Sequence, residues 1–180
     1  MEGEVADTQL GGHLPDEVRS ATEHHTAVVV GGGQSGLATA YYLRRYEMDF
    51  LILDNQEEPG GAWLHAWPSL TLFSAAAFSN LPGWPMPQYP GYPPASHVID
   101  YLEHYERRYD LPARRPVHVR SVSHDGGMFF LDSTVGQFTA DRVVAATGTW
   151  SAPFVPHYPG TFRGRQWHSS TYPSPEPFLS

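Results

Sequence analysis

The chain of 180 residues contains no cysteine. That absence rules out a disulfide framework, zinc–thiolate and iron–sulfur centres, and Cys-x-x-Cys redox chemistry. Basic charge is scarce as well: 11 Lys and Arg stand against 19 Asp and Glu, a formal net charge of -8. Non-specific binding to nucleic acid or to an anionic membrane needs a basic face, so neither is expected as a partner. Long apolar runs are missing too. No stretch reaches the about 20 apolar residues of a membrane-spanning helix, and the opening MEGEVADTQLGGHLPDEVRSATEHH is acidic, without a signal peptide's apolar centre. The expectation is a soluble, cytoplasmic protein. What is plentiful is apolar and aromatic matter, 41% and 13% of the chain. A chain of this length buries roughly two thirds of its unfolded surface, enough for one domain with a core of its own.

Residues 1–25 are polar and without period, and read as a leader. Ala27–Val30 reads as a short strand, Leu37–Tyr46 as a helix with Leu37, Ala40 and Tyr41 on its inner face, and Phe50–Leu53 as a second apolar strand. This is the opening of a βαβ unit. Residues 59–94 are crowded with proline and aromatics, which forbids regular structure and predicts an ordered loop. Ser96 is read as the cap of a helix over His97–Tyr109, with Val98, Tyr101, Leu102, Tyr105 and Tyr109 on one face. Val117–Val122 and Met128–Asp132 read as strands around the turn His124-Asp-Gly-Gly127, with a third short strand at Phe138–Ala140. Together they make a small β-meander over Val117–Ala140. Arg142–Ala146 reads as a separate buried strand, and beyond Trp150 no regular structure is expected.

Between the first strand and the first helix lies Gly31-x-Gly33-x-x-Gly36. Each glycine has its own reason to be there. Gly31 permits the tight turn, Gly33 lets backbone approach a pyrophosphate, and Gly36 lets helix and strand pack closely. The helix N-terminus adds unpaired N–H groups and partial positive charge. Asp54 follows about twenty residues on, at the end of the second strand, where a carboxylate takes the hydroxyls of an adenosine ribose and repels a 2′-phosphate. FAD and NAD both remain open at this point. Pro59-Gly60-Gly61-Ala62-Trp63 comes next. Glycine at position 61 admits a bulky flat ligand, and Trp63 can wall it. The histidine pairs His24–His25 and His97/His104 lack a carboxylate cluster, so no metal site is expected.

Four segments resemble the flavin-containing monooxygenase family, a group that includes Baeyer–Villiger and N-hydroxylating monooxygenases. The likeness is strongest to the short CzcO- and ArsO-like bacterial flavoproteins. The segments are GGGQSGLATAYYL, GGAW, VVAATGTW (Val143–Trp150) and Phe162-x-Gly164-x-x-x-His168-x-x-x-Tyr172, and the match runs in order over Thr26–Phe178. The resemblance implies an α/β, Rossmann-like FAD-binding domain over residues 26–160, with a central parallel sheet and a small added β-meander. It also implies a signature and linker over 161–180. By the same resemblance Gly31, Gly33, Gln34, Ser35 and Gly36 hold the FAD pyrophosphate and Asp54 the adenosine ribose. Gly61 and Trp63 lie near the flavin, Val119 offers backbone to the adenine, and Thr147 and Gly148 approach pyrophosphate or flavin. His65 stands in a stretch where the family often carries arginine.

The family's chemistry is NADPH- and O2-dependent oxygenation of a small organic substrate on FAD. The chain ends at Ser180, where the family enters a second strand–Gly-x-Gly–helix unit for NADPH. The expectation is therefore a chain lacking the NADPH domain, whose exposed face is covered by a partner chain or dimer mate. Two other readings stay open: a non-catalytic FAD- or NAD-binding module, and a flavin reductase without a dithiol. No catalytic acid–base pair is identified.

Overall fold

The computed structural model describes residues 22–178. Most of the expected leader, residues 1–21, lies outside the described residues. Its last residues do not: the first strand, β1, covers Glu23–Val30 and begins well inside the polar stretch. Helix α1 follows over Gln34–Arg45, then β2 at Phe50–Leu53 and helix α2 at Ala95–Arg108. Strands β3 (Ala113–Arg114), β4 (Val119–Asp125), β5 (Met128–Ser133) and β6 (Gly136–Ala145) complete one six-stranded sheet in the order β3-β2-β1-β6-β5-β4.

The four strands β3, β2, β1 and β6 are mutually parallel, and β6, β5 and β4 form an antiparallel meander. The meander is therefore not an appendage beside a parallel sheet. Both share β6, which the sequence reading divides at Asp141 into two strands. The structure corrects this. The first half of β6 pairs with the start of β1, Glu23 opposite Phe138, and its second half pairs with the end, Val30 opposite Ala145. Asp141 lies within this ladder, between Ala140 opposite His25 and Arg142 opposite Ala27, and His24 on β1 meets it at 3.6 Å. The turn to β5 behaves as expected: Asp125 and Met128 pair across Gly126 and Gly127, both at positive φ.

Successive side chains of β1 and β2 go to opposite faces, and both faces are buried. Ala27, Val29, Phe50 and Ile52 pack under α1 and α2 with Leu37, Ala40, Val98 and Leu102. Val28, Leu51 and Leu53 pack on the other face with Val117, Leu131 and Phe138. The polar start of β1 survives as strand because each side chain finds a partner. Arg114 grips Glu23 with a bidentate pair at 2.7 and 3.0 Å, and His25 sits between Glu23 at 2.9 Å and Asp49 at 3.1 Å. The bond from Arg114, then that from His25, holds Glu23 below its ordinary carboxyl value of 4.5; the His25 bond does the same for Asp49, ordinarily 3.8. Carboxyls depressed in the folded state add stability above their unfolded values and lose it as pH falls through the folded ones. Stability to urea is therefore expected to fall below about pH 4.5, and in Glu23→Gln the fall is shallower. The effect is modest, since both carboxylates are more than one-third exposed.

Helix α2 starts two residues earlier than expected. Pro94 is its N-cap residue, and Ser96 lies inside the first turn without capping it. Its inner face is as read: Val98, Tyr101, Leu102 and Tyr105 are buried, and Tyr109 packs beside them at the C-cap. The two inner tyrosines also order the proline-rich loop. Tyr105 donates its hydroxyl to the carbonyl of Pro82 at 2.6 Å, and Tyr101 donates to the carbonyl of Trp84 at 2.6 Å while accepting from the Leu81 N–H at 2.8 Å. Prolines cannot build a ladder, so side-chain hydroxyls satisfy the backbone instead. Burial, and then the neighbouring tyrosines, push the Tyr105 phenol well above its ordinary pKa of 10.0. Tyr105→Phe takes the partner from the partly buried Pro82 carbonyl and is expected to cost about 1 kcal/mol in urea unfolding.

Candidate functional site

The carboxyl ends of β1, β2 and β6 open into one cleft of about 830 Å³. The chain leaves β1 toward β2 on one side, while β6 lies on the other, so the cleft sits where the strand order reverses. Open α/β sheets bind ligands at such a place. The volume lies within the roughly 300–1,000 Å³ of small-molecule and cofactor sites.

The glycine turn forms one lip. The Gly31 N–H donates to the Leu53 carbonyl at 2.8 Å, which ties the turn to β2. Gly31 has φ 111° and lies against the Ala146 backbone, so neither its conformation nor its surroundings admit a side chain. Helix α1 begins at once, with Leu37 making the first helical bond back to Gly33 at 2.9 Å. The N–H groups of Gln34, Ser35 and Gly36 thus precede the helical ladder, and Gln34 and Ser35 line the cleft. Gly33 faces open space there: a Cβ on it would meet only the Gly61 Cα, at 3.7 Å.

Of the residues singled out in the sequence, Gly31, Gly33, Gln34, Ser35, Asp54, Gly61, Trp63, Val119, Thr147 and Gly148 all line this cleft. Segments more than a hundred residues apart are thereby brought together. Gly36 is not part of the lining. It is buried where α1 crosses β1, against the Gly31 carbonyl and the Val29 side chain, and its place is in packing. Trp63 both lines the cleft and packs against the core of the α-helical face. Gly148, at φ 64°, has nothing within 4 Å of where a Cβ would stand. His168 is not part of this lining; its Nδ1 accepts from the Ser170 N–H at 3.1 Å and caps a short turn. Tyr172, at the end of the same signature, packs edge-on against Trp67 with ring centroids 5.1 Å apart.

Asp54 is 3% exposed. Its backbone joins β3 and the start of the segment to β4, with N–H donated to Arg114 O at 3.1 Å and carbonyl accepting from the Val117 N–H at 2.7 Å. Its side chain is held by a residue the sequence reading passed over: Arg115 Nε donates to Asp54 Oδ2 at 2.8 Å. Arg115 also forks onto Glu106 of α2, both contacts at 2.7 Å. Burial works against the guanidinium charge, but the bonds to Glu106 and Asp54 outweigh it and hold the Arg115 pKa above its ordinary value. In the sequence Arg115 is the second of two arginines before a proline, which reads as an ordinary surface pair; nothing local signals a buried ion triad.

Asn55, Gln56, His65, His118 and Trp150 also reach the lining. His65 stands where the resembling family often has arginine. It bonds through Nε2 to Gln56 Oε1 at 2.8 Å and stacks on Trp150 at 6.2 Å between centroids. Asp54, His65 and His118 are the titratable side chains of the lining. The first is committed to Arg115 and the second to Gln56, so the cleft offers a binding surface and no assembled acid–base pair. No group of three or more metal-ligating side chains occurs among the described residues, and none of their helices is long and apolar enough to cross a membrane.

The profile of the pyridine nucleotide-disulphide oxidoreductase family matches residues 28–179. An uncharacterized CzcO-like oxidoreductase of Geobacillus kaustophilus is 33% identical over 151 residues, which is 82% of this chain and 43% of the relative. The indole-3-pyruvate monooxygenase YUCCA6 of Arabidopsis thaliana is 33% identical over 168 residues, 89% of this chain and 40% of the relative. Among solved structures, a flavin-containing monooxygenase from Stenotrophomonas maltophilia superposes with a TM-score of 0.80 at 47% identity, over 87% of this chain and 49% of that one. The chain thus spans about half or less of the proteins it matches. With the profile covering most of its length, and with these relatives, the chain belongs to the pyridine nucleotide-disulphide oxidoreductase family and, within it, to the flavin monooxygenases.

Proposed function

We propose that the cleft binds FAD, and that the chain is the flavin-holding part of an NADPH- and O2-dependent monooxygenase acting on a small organic substrate. The observation that carries this reading is the meeting of the glycine turn and Asp54 on one cleft that Gly61, Trp63, Thr147 and Gly148 also line. The residues fit the cofactor. Gln34, Ser35 and the Cβ-free face of Gly33 suit a pyrophosphate at the start of α1. Asp54 suits the adenosine ribose, and the backbone at Val119 suits the adenine. The open space beside Gly33 and Gly148 suits close approach of a ligand to backbone.

Charge decides against NADP in this cleft. Asp54 and Glu106 carry two negative charges against the single positive charge of Arg115, so a 2′-phosphate on the ribose would meet net repulsion. FAD, when bound, supplies the redox chemistry. The chain's own residues do the rest: the turn binds the diphosphate, Asp54 orients the adenosine end, and Trp63 with its packed surroundings shields one wall from water.

The test is the visible spectrum of the purified chain with FAD, before and after NADPH in air. A flavin band that co-purifies or is taken up supports the FAD site, and bleaching with NADPH consumption supports turnover by this chain. Uptake without bleaching retains the FAD site and assigns the chain the role of a binding module. A colourless protein that refuses added FAD overturns the proposal.

A further inference from the structure

The ion triad behind the cleft joins three parts of the fold. Asp54 follows β2, Arg115 follows β3, and Glu106 lies on α2. The three side chains are 4%, 9% and 14% exposed. Arg115 uses both terminal nitrogens on Glu106 and turns its third nitrogen, Nε, to Asp54 Oδ2. Of the three residues only Asp54 lines the cleft. Arg115 therefore meets a ligand only through Asp54. The glycine turn rests on the same support: a Cβ on Gly32 would stand 2.5 Å from both Arg115 Nη2 and Asp54 Oδ2.

We propose that Arg115, locked by Glu106, is a positioning residue for the dinucleotide: it takes one oxygen of Asp54 and leaves Oδ1 directed at the adenosine ribose. A buried carboxylate without a partner protonates or turns away to find one. Arg115 removes both escapes, because a bond from a guanidinium is strong and fixed in direction. Asp54 can then meet the ribose hydroxyls as a charged, pre-set acceptor, with no rearrangement on binding. Glu106 keeps the fork in register without touching the ligand. Because the turn lies over the pair, the grips on diphosphate and ribose share one foundation.

This inference rests on the FAD reading, and a double-mutant cycle separates the two. FAD is titrated into flavin-free native chain, Asp54→Ala, Arg115→Met and the double variant, with binding followed by flavin fluorescence and folding by urea unfolding. Asp54→Ala is expected to raise the Kd about ten- to hundredfold. Arg115→Met is expected to raise it about tenfold in the native background and by no more than about threefold when Asp54 is already alanine. A residue that merely stabilises the fold would act equally in both backgrounds, and that outcome overturns the proposal, as does an unchanged Kd in Arg115→Met. If Asp54→Ala itself leaves the Kd unchanged, the ribose is held elsewhere and this inference falls while the FAD site stands; if the native chain takes up no FAD, the FAD reading falls as well. Where Arg115→Met does not fold, Arg115→Lys keeps a charge but cannot make the fork, and the same cycle with it gives the same decision.

Discussion

Gly33→Val is expected to abolish flavin uptake and to leave the fold intact. Position 33 has φ -80°, an extended conformation open to any residue, and the added Cβ meets nothing closer than the Gly61 Cα at 3.7 Å. The valine methyl groups project beside the Gly61 backbone into the cleft at the start of α1, where the diphosphate is proposed to lie. They exclude the ligand and cover the N–H groups at the start of α1. Affinity for FAD should fall at least about a hundredfold, about 3 kcal/mol. The urea midpoint should move little. Flavin titration beside urea unfolding checks both halves, and unchanged uptake would place the diphosphate away from the turn.

Three residues along, the same kind of change has the opposite outcome. Gly36→Ala puts a methyl group into the Gly31 carbonyl at the crossing of α1 and β1, and the helix must lift from the sheet. The clashing atoms, the Gly31 carbonyl oxygen and carbon, are backbone and cannot step aside as a flexible side chain would. Leu37 and Ala40, which α1 presses onto Val29 and Ile52, move with it. The expected loss is at least about 3 kcal/mol, a large share of the roughly 5–15 kcal/mol that holds a domain together. In Gly36→Ala, uptake of FAD should decline in step with the folded fraction; in Gly33→Val, it should vanish while the protein stays folded. If Gly36→Ala unfolds at the native urea concentration, the crossing is looser than the structure draws it.

The local motifs were the legible part. Phe50–Leu53 read correctly to the residue because four apolar residues between a charged turn and Asp54 admit no other arrangement. The inner face of α2 was legible from its spacing. Gly31, Gly33, Asp54, Gly61 and Trp63 were legible from the chemistry of their segments, whereas Gln34, Ser35, Val119, Thr147 and Gly148 were named only through the family resemblance; all ten line the cleft. What stayed hidden depends on partners distant in sequence. Glu23, His24 and His25 read as leader because their polarity is satisfied only by Arg114, Asp49, Asp141 and Thr139. Strand β6 read as two because Asp141 interrupts an apolar pattern that pairing with β1 carries through. Strand β3 is two residues between prolines and has no pattern to read. Arg115 and Glu106 are nine residues apart, and only the closing of α2 against the segment after β3 brings them to Asp54. Gly36 was read from the fingerprint as packing helix on strand, and the structure agrees; only the resemblance set it at the pyrophosphate, and it is not part of the cleft lining.

The tyrosines of α2 hold the proline-rich loop by carbonyl oxygens and one amide, atoms that every residue type except proline's missing N–H provides. These hydroxyl anchors are indifferent to which side chains the loop carries, although Leu81 and Met86 of the same segment are buried in the core. Phe73 and Phe78 stand almost fully exposed on the stretch that leads into it, free of structural duty. The fold has in effect separated the hinge pins of this segment from its outward lettering. Selection or an engineer can rewrite that outward surface residue by residue, and Tyr101 and Tyr105 will still hold it in place.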